Sequence, residues 1–298
     1  YSNKDVHQIV KDIRDIDSAD LKGIDIIFHL AALSNDPLGE FNKKLTYDIN
    51  YKASEKLAIV ARKVGIRRFI FASSCSLYGA GGSQALIEDS PSNPQTAYGK
   101  SKVYAEQAIS KLAEENFSPV FMRNATAFGF SPRMRFDIVV NSLTGYAKID
   151  NEIKILGDGK PWRPLVHVKD ICRSIIAVLE AKKKLIHNQA FNIGDNKENY
   201  QIKMIAKKVK KYYPSCDISI AMEDASDSRD YNVSFNKLNN VLSFNRVWSL
   251  NKGIEELKNQ YEVTNLDKER FEGRLYNRLK QINYLIKNNI INKTLRRD

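Results

Sequence analysis

The 298-residue sequence predicts an α/β fold built on a parallel sheet. Two kinds of segment lead to this prediction. Short apolar runs at residues 24–30 and 68–73 are typical of strands that are buried on both faces of a sheet. An amphipathic helical pattern at residues 51–64 lies between them. Strands that alternate with helices along a chain usually form a parallel sheet with helices packed on its faces.

The first half of the chain supplies the elements of this sheet. Gly65 ends the helix at 51–64, because glycine readily adopts the left-handed conformation that closes a helix. A second helix is predicted at residues 98–116, after a loop rich in Pro, Ser and Asn. The predicted strands, in order, are an apolar run at 6–10 and the runs at 24–30, 68–73 and 119–123.

The pattern is less regular from about residue 130, where it predicts a smaller mixed α/β region. The predicted helices cover residues 136–149, 169–181 and 201–213. The predicted strands cover residues 153–156, 165–168, 190–193 and 217–221. The chain ends in helices at 251–261 and 267–287, and the last one is amphipathic, as expected of a helix that packs on the protein body or on a partner.

Composition and charge exclude several classes of protein. The net charge is +12, but the lysines are dispersed over predicted helix faces and no RNA-binding motif stands out, so we expect no nucleic-acid partner. No apolar run approaches the roughly 20 residues of a membrane span, so we expect no membrane insertion. The three scattered cysteines indicate a cytoplasmic protein, and the four histidines lack metal-ligand spacing.

Tyr98 and Lys102 are the residues that point to chemistry. They lie four positions apart at the start of the helix predicted at 98–116, so the phenol and the ammonium share one helix face. A nearby cation lowers the pKa of a tyrosine from its usual value of about 10, and such a phenol exchanges protons with hydroxyls near neutral pH. The spacing alone is common by chance, and a surface tyrosine beside a solvated lysine is the alternative.

Four segments, in this order, give the pair its context. They are His29-Leu30-Ala31-Ala32, Ser73-Ser-Cys-Ser-Leu-Tyr-Gly79, Tyr98-Gly-Lys-Ser-Lys102, and Gly157-Asp-Gly-Lys-Pro-Trp-Arg163 followed by Val166-His-Val-Lys-Asp170. With these motifs the chain resembles the extended short-chain dehydrogenases/reductases, specifically the NAD-dependent nucleotide-sugar epimerases and dehydratases of the UDP-glucose 4-epimerase type. The resemblance runs from about residue 6 to residue 237. It implies a Rossmann-like doubly wound parallel sheet with ligands at the carboxyl ends of the strands.

The resemblance also implies roles for individual residues. Tyr98 is the catalytic acid/base, Lys102 lowers its pKa and holds the nicotinamide ribose, and Ser74 hydrogen-bonds the reacting hydroxyl. The implied cofactor-binding residues are Asp12 and Ile13 at the adenine, Leu30, Ala31 and Ala32 along the dinucleotide, and Tyr98 and Lys102. The implied substrate-binding residues are Asn124, Thr126, Arg163 and Arg229. The two arginines suit a diphosphate because the planar guanidinium bonds phosphate oxygens in pairs.

The largest departure from the family lies at the start of the chain. The family opens with a strand, a glycine-rich loop and a helix, and nothing of this kind precedes Asp12. We therefore expect a sheet without its first βαβ unit, an N-terminally truncated fragment of a longer enzyme, and poor cofactor binding that leaves the fragment itself inactive. Without those neighbouring strands, the structure should show a gap or a displaced segment at 6–10.

Three regions follow from these boundaries. Residues 1–130 form a truncated NAD-binding domain. Residues 131–250 are mainly substrate-binding, with some strands and helices returning to the main sheet. Residues 251–298 form a C-terminal helical appendage.

Two positions distinguish between the reactions of the family. Dehydratases carry an Asp-Glu pair directly after the catalytic Ser or Thr, whereas this chain has Cys75 and Ser76. We therefore predict NAD-dependent epimerisation of a nucleoside-diphosphate sugar through a transient keto-sugar. The alternatives are a nucleotide-sugar ketoreductase or dehydrogenase with the same residues, and a non-catalytic binding or regulatory protein on the same scaffold.

The resemblance extends to the partners. The substrate is a nucleotide sugar, and the family commonly forms homodimers through the two helices that correspond to 51–64 and 98–116. The sequence leaves open the sugar and the nucleotide. It also leaves open NAD or NADP, because that choice depends on a residue at the end of strand 2, which is missing here.

Overall fold

The computed structural model describes residues 6–80, 84–222 and 229–297. Its main sheet has four parallel strands in the order β1-β2-β3-β7. They are β1 (Ile26–His29), β2 (Arg68–Ser74), β3 (Ser118–Asn124) and β7 (Gln189–Ile193). The order of the first three matches strands 4, 5 and 6 of a doubly wound sheet, so the predicted Rossmann-like α/β class is confirmed.

Helices cover both faces of this sheet. One face carries α3 (Ala53–Lys63) and α4 (Ala97–Ser110), and the other carries α6 (Val168–Glu180), α7 (Lys183–Ile186) and α9 (Asn236–Leu242). Side chains alternate between the faces along each strand. In β2, Phe69 and Phe71 therefore pack with α3 and α4, whereas Ile70 packs with the opposite helices.

The register of the strands brings polar residues together at one edge of the sheet. Ser74, the last residue of β2, pairs with Asn124, the last residue of β3, and Asn124 in turn pairs with Ile193 of β7. The helix α4 follows β2 along the chain, and it begins beside the carboxyl ends of these strands. The carboxyl ends of the strands therefore meet beside the predicted catalytic helix.

Residues 6–10 do not join the sheet. Val6, Ile9 and Val10 are 65%, 49% and 82% exposed, and no strand forms there. β1 is therefore an edge strand within the part of the chain that the structure describes, and the predicted displacement of 6–10 is confirmed. An apolar run stays in a sheet only where a neighbouring strand pairs its backbone groups.

A second region contains two smaller sheets and three packed helices. The sheets are β4-β6-β8, made of Thr126–Phe128, Trp162–His167 and Asn199–Gln201, and β5-β9, made of Glu152–Leu156 and Asp217–Ala221. The helices are α5 (Val139–Ile149), α8 (Ile202–Lys210) and α10 (Leu250–Val263). Leu250, Ile254 and Leu257 of α10 are buried in the same core as Val140 of α5 and Ile205 of α8. The helix α10 is thus part of this core.

Several helix boundaries differ from the predictions. The helix α4 ends at Ser110, because a tight turn pairs Glu114 with Phe117 and returns the chain to the sheet. The predicted helix at 267–287 is broken into α11 (Lys268–Glu272) and α12 (Arg278–Lys287). A Cβ at Gly273, between them, would lie 2.4 Å from the Glu269 carbonyl oxygen. Two short helices, α1 (Asp36–Phe41) and α2 (Lys43–Tyr47), were not predicted.

The end of the chain packs against its beginning. Leu279 and Ile282 of α12 lie on a small apolar cluster that contains Leu33 and Leu38. Beyond α12, Arg296 forms an ion pair with Asp15. Arg14 also donates a hydrogen bond of 2.9 Å to the Thr294 carbonyl. None of the helices described is long and apolar enough to cross a bilayer.

Candidate active site

Tyr98 is held in place by the helix α1, which packs against the start of α4. Glu40 accepts a hydrogen bond of 2.7 Å from the Ala97 N–H, and Thr96 caps α4 by accepting from the Gly99 N–H. Thr96 in turn donates to Asp36 at 2.5 Å. These contacts satisfy backbone donors that are otherwise free at a helix start.

The two helices approach each other closely at this point. A Cβ at Gly39 would lie 2.8 Å from the Tyr98 Cβ. Only glycine allows this approach without a shift of the backbone of α4. Gly39 therefore contributes to the position of the phenol, although it lies on a helix that the sequence pattern does not reveal.

Ser74 meets Tyr98 at the carboxyl end of β2. The Ser74 hydroxyl accepts hydrogen bonds from the Ser76 hydroxyl at 2.9 Å and from the Ser76 N–H at 3.2 Å. The same hydroxyl acts on the Tyr98 phenol and favours the phenolate. The structure thus brings together two of the three predicted catalytic residues through their hydroxyl groups.

Burial raises the pKa of Tyr98 above its usual value, and this is the largest influence on it. The Ser74 hydroxyl and the positive charges of Arg135 and Arg229 lower the pKa, whereas the charge of Asp36 adds to the increase. The net shift is upward, and the predicted effect of Lys102 on this pKa stays a prediction. Desolvation outweighs the favourable charges, and those charges come from other elements.

Lys102 is buried beneath the phenol and is directed toward the sheet. Its side chain is 3% exposed, and its Nζ donates a hydrogen bond of 2.6 Å to the Ala72 carbonyl. The Nζ lies 4.6 Å from the ring centre of Phe71 and 5.8 Å from that of Tyr98. Burial lowers the pKa of Lys102 to about 8, and the carboxylate of Glu106 opposes this decrease.

The two arginines predicted at the diphosphate lie next to each other but in different settings. Arg163, on β6, is buried and donates hydrogen bonds to the carbonyls of Trp162 and Arg229. Arg229 pairs through its own guanidinium with Asp36 at 2.6 Å. Arg163 therefore supports the backbone of Arg229, and Arg229 is the one whose charge reaches Tyr98.

The other two predicted substrate residues lie at strand ends. Asn124 donates a long hydrogen bond of 3.4 Å to the Ser73 carbonyl, and its buried Oδ1 atom has no hydrogen-bond partner within residues 6–80, 84–222 and 229–297. Thr126 is half-buried in β4. Asn124 is the closer of the two to Ser74, because β2 and β3 pair directly at these positions.

The predicted cofactor residues have a different character. Leu30 is 60% exposed after β1, Ala31 is also exposed, and Ala32 is half-buried. Asp12 accepts hydrogen bonds from the Arg14 guanidinium at 2.6 and 2.8 Å, and this pairing lowers the pKa of Asp12. Ile13 packs in the apolar clusters beneath. Asp12 is thus engaged by a protein partner, whereas the residues after β1 face solvent.

Two residues near Tyr98 were missed in the sequence. Asp36 belongs to the short helix α1, for which the cap residue Asn35 and the early Pro37 were available signals. Arg135 lies in the loop that precedes α5. It pairs with Asp137 at 2.9 Å and donates to the Ser34 carbonyl at 3.0 Å, so this loop is attached to the segment after β1.

A family model gives independent information on the chain. The model of the NAD dependent epimerase/dehydratase family matches residues 3–194. An uncharacterized UDP-glucose epimerase of Bacillus subtilis, YtcB, is 30% identical over 62% of this chain and 58% of its own length. The human dTDP-D-glucose 4,6-dehydratase is 25% identical over 68% of this chain and 57% of its own length. The chain thus matches less than two thirds of either relative.

A solved structure also resembles the chain. The UDP-glucuronic acid 4-epimerase from Bacillus cereus, in complex with UDP-glucuronic acid and NAD, superposes with a TM-score of 0.76 at 25% identity. The similarity covers 85% of this chain and 81% of that one. Relatives and structural neighbours therefore include both epimerases and dehydratases.

Proposed function

The chain belongs to the NAD-dependent epimerase/dehydratase family, and on this premise we propose that it epimerises a nucleoside-diphosphate sugar with NAD as cofactor. The observation that carries the proposal is the placement of the Ser74 hydroxyl at the carboxyl end of β2, where it favours the phenolate of Tyr98. The positive charges of Arg135 and Arg229 act on the same phenol. This combination suits proton transfer next to an anionic ligand.

Tyr98 takes the proton from a sugar hydroxyl and returns it at the end of the cycle. Ser74 holds that sugar hydroxyl in line with the phenol. It also stabilises the phenolate form of Tyr98. The two arginines favour the phenolate through charge, which offsets part of the effect of burial. A sugar that is oxidised, rotated and reduced in one pocket leaves as its epimer.

The cofactor fits some of the predicted residues better than others. NAD, when bound, supplies the hydride acceptor for the carbon that carries the reacting hydroxyl. Leu30, Ala31 and Ala32 would hold it along the end of β1, where the exposed surface is apolar and its side chains small. Lys102 would hold the end nearest Tyr98. Asp12 would contribute only after release from Arg14, since both its carboxylate oxygens bond that guanidinium.

Elimination of water is the less favoured reaction. At the two positions where dehydratases carry Asp and Glu, Cys75 and Ser76 are both buried. The Cys75 thiol donates a hydrogen bond of 3.0 Å to the Arg123 carbonyl, and burial raises its pKa. A thiol in this setting does not act as an acid on the sugar.

The reaction is tested by product analysis with a panel of UDP-, GDP- and dTDP-sugars in the presence of NAD. A 4-epimer formed without net consumption of the cofactor supports the proposal. A 4-keto-6-deoxy product would indicate a dehydratase. Net oxidation of NADH or NADPH with a keto-sugar would indicate a ketoreductase, and binding without turnover would indicate a non-catalytic protein.

We also propose a homodimer, formed through α3 and α4. These helices carry exposed apolar side chains, since Ile59 is 44% and Tyr104 is 43% exposed. Tyr104 also contacts Tyr47 and Tyr51 at ring-centre distances of 5.9 and 5.7 Å. Light scattering should give about twice the mass of the chain, and a monomer at all concentrations would contradict this arrangement.

A further inference from the structure

Among the residues that the structure describes, no carboxylate bonds the buried ammonium of Lys102 directly. Its Nζ bonds the Ala72 carbonyl and faces the aromatic rings of Phe71 and Tyr98. From β1, His29 also lies within electrostatic range, and burial lowers its pKa to about 3, so the imidazole is neutral. These neighbours supply dipoles and ring faces, but they supply no negative charge to a buried cation.

Glu106 lies one helical turn beyond Lys102 on the same face of α4. Residues four apart on a helix are direct neighbours on its surface. The Glu106 side chain is almost as buried as that of Lys102, with 8% of the residue exposed, and its negative charge acts on the ammonium. Tyr98, Lys102 and Glu106 thus form a row along α4 at intervals of four residues.

Arg123 holds Glu106 from the other side. Its guanidinium donates from Nη2 at 2.7 Å and from Nε at 3.1 and 3.2 Å to the Glu106 carboxylate. The same guanidinium donates to the Tyr78 hydroxyl at 3.0 Å and to the Glu88 carbonyl at 2.7 Å. Because Arg123 is fixed by three groups, the carboxylate of Glu106 cannot swing away from α4 without losing several hydrogen bonds.

We propose that Glu106 is a positioning residue, whose carboxylate, fixed by Arg123, keeps the buried Lys102 charged and directed along α4 beneath Tyr98. The proposal rests on the proposed function only for the role of Lys102. The electrostatic argument is general, since an unpaired cation in a protein interior loses its proton unless a nearby opposite charge stabilises it. Glu106 lies between two cations, so it compensates Lys102 and Arg123 together.

The direct test is a titration of Lys102 by NMR in protein with ¹³C-labelled lysine. The Lys102 resonance is identified by its absence in Lys102→Met. In Glu106→Gln we expect its midpoint to move to lower pH by about one unit, the smaller of the shifts that a nearby opposite charge produces. In Glu106→Asp, which keeps the charge on a shorter side chain, we expect an intermediate midpoint.

Glu88→Gln is the matched control. Glu88 is buried to a similar degree, with 9% exposed, and it also contacts Arg123, but only through its backbone carbonyl. Its side chain accepts from the Asn192 N–H at 2.8 Å, which a glutamine can also do. This variant should leave the Lys102 midpoint unchanged. A midpoint in folded Glu106→Gln equal to that of the wild type would overturn the proposal.

Two further measurements separate the possible outcomes. If Glu106→Gln does not fold, the Lys102 titration is measured in Glu106→Asp instead. A Lys102 midpoint at or above the wild-type value would overturn the proposal. With an active enzyme, the alkaline limb of kcat/KM should move to lower pH in Glu106→Gln and not in Glu88→Gln. A purely structural role would lower the rate at every pH without moving the limb. The NMR titration needs no turnover, so it stands even if the epimerase proposal fails.

Discussion

The two ends of the candidate site are built differently. At the acid/base end, Tyr98, Ser74 and Lys102 are fixed by hydrogen bonds to other elements, and charged side chains are buried. At the cofactor end, Leu30 and Ala31 face solvent and Asp12 bonds a neighbour two residues away. The groups proposed for proton transfer are therefore arranged by the packing of this chain alone, whereas the surface proposed for the dinucleotide is open.

The C-terminal segment belongs to the cofactor end. Arg296 and Thr294 contact Asp15 and Arg14, and Asp12 is bonded to the same Arg14. The acid/base end instead depends on α1 and on the loop around Arg135, which lie close to α4 in the fold. Changes at the acid/base end should therefore reduce activity and stability much more than changes at the cofactor end.

After Tyr98 itself, the largest effect is expected for Lys102→Met. Loss of the ammonium beneath Tyr98 should reduce turnover by about 100-fold or more, at the lower end of what an acid/base group contributes. A measurement of kcat with the active sugar checks this prediction. Turnover within about threefold of the wild type would contradict the role given to Lys102.

The same variant should change how stability depends on pH. The pKa of Lys102 is about 8 in the fold and 10.5 when unfolded, so the unfolded chain binds more protons between these values. Stability of the wild type should therefore rise with pH in this window, by about 2 kcal/mol between pH 8 and 10 relative to Lys102→Met. Urea unfolding at the two pH values measures the difference. If the free energy of unfolding changed equally with pH in both proteins, Lys102 would not be desolvated in the fold.

A pH effect on stability of similar size is expected for His29→Gln, which removes a titrating group near Lys102. The pKa of His29 is about 3 in the fold against 6.5 in the unfolded chain, because of burial. The contribution of this neutral histidine to the stability of the fold is complete above pH 6.5. It is lost as the pH falls toward 3. At pH 5 the wild type should have lost about 2 kcal/mol more than the variant, relative to pH 7. If both proteins lost the same stability between pH 7 and pH 5, His29 would not be buried in its neutral form.

The smallest effect is expected at the cofactor end, for Arg296→Ala. The ion pair with Asp15 is exposed on both sides, and such pairs contribute little to stability because solvent screens them. The variant should keep its turnover and unfold at nearly the same urea concentration. A loss of turnover comparable to that of Lys102→Met would remove the contrast between the two ends.

Much of the acid/base end was predictable because its signals are local. Tyr98 and Lys102 are one helical turn apart, and Ser74 ends a strand that is plainly apolar. The direction of the Tyr98 pKa was not predictable, since it depends on burial by α1 and on Arg135 and Arg229. Those groups come from three distant parts of the chain.

The boundaries that failed did so for comparable reasons. The helix α1 has six residues and no apolar period long enough to detect, yet it supplies Asp36 and Glu40 to α4. The run at 6–10 has the composition of a strand but lacks a neighbour to pair with. Periodicity predicts which face of an element is apolar, but it does not predict which partner covers that face.

The central claim is that the Tyr98 hydroxyl carries the proton of the reaction, and Tyr98→Phe tests it most directly. The change removes one oxygen atom and keeps the ring that packs above Lys102. The initial rate of epimer formation with the active nucleotide sugar is compared in the two proteins at the same pH. We expect the variant to be slower by about 1,000-fold, within the range that a general acid/base contributes. A folded Tyr98→Phe protein that forms the epimer at the wild-type rate would contradict the account.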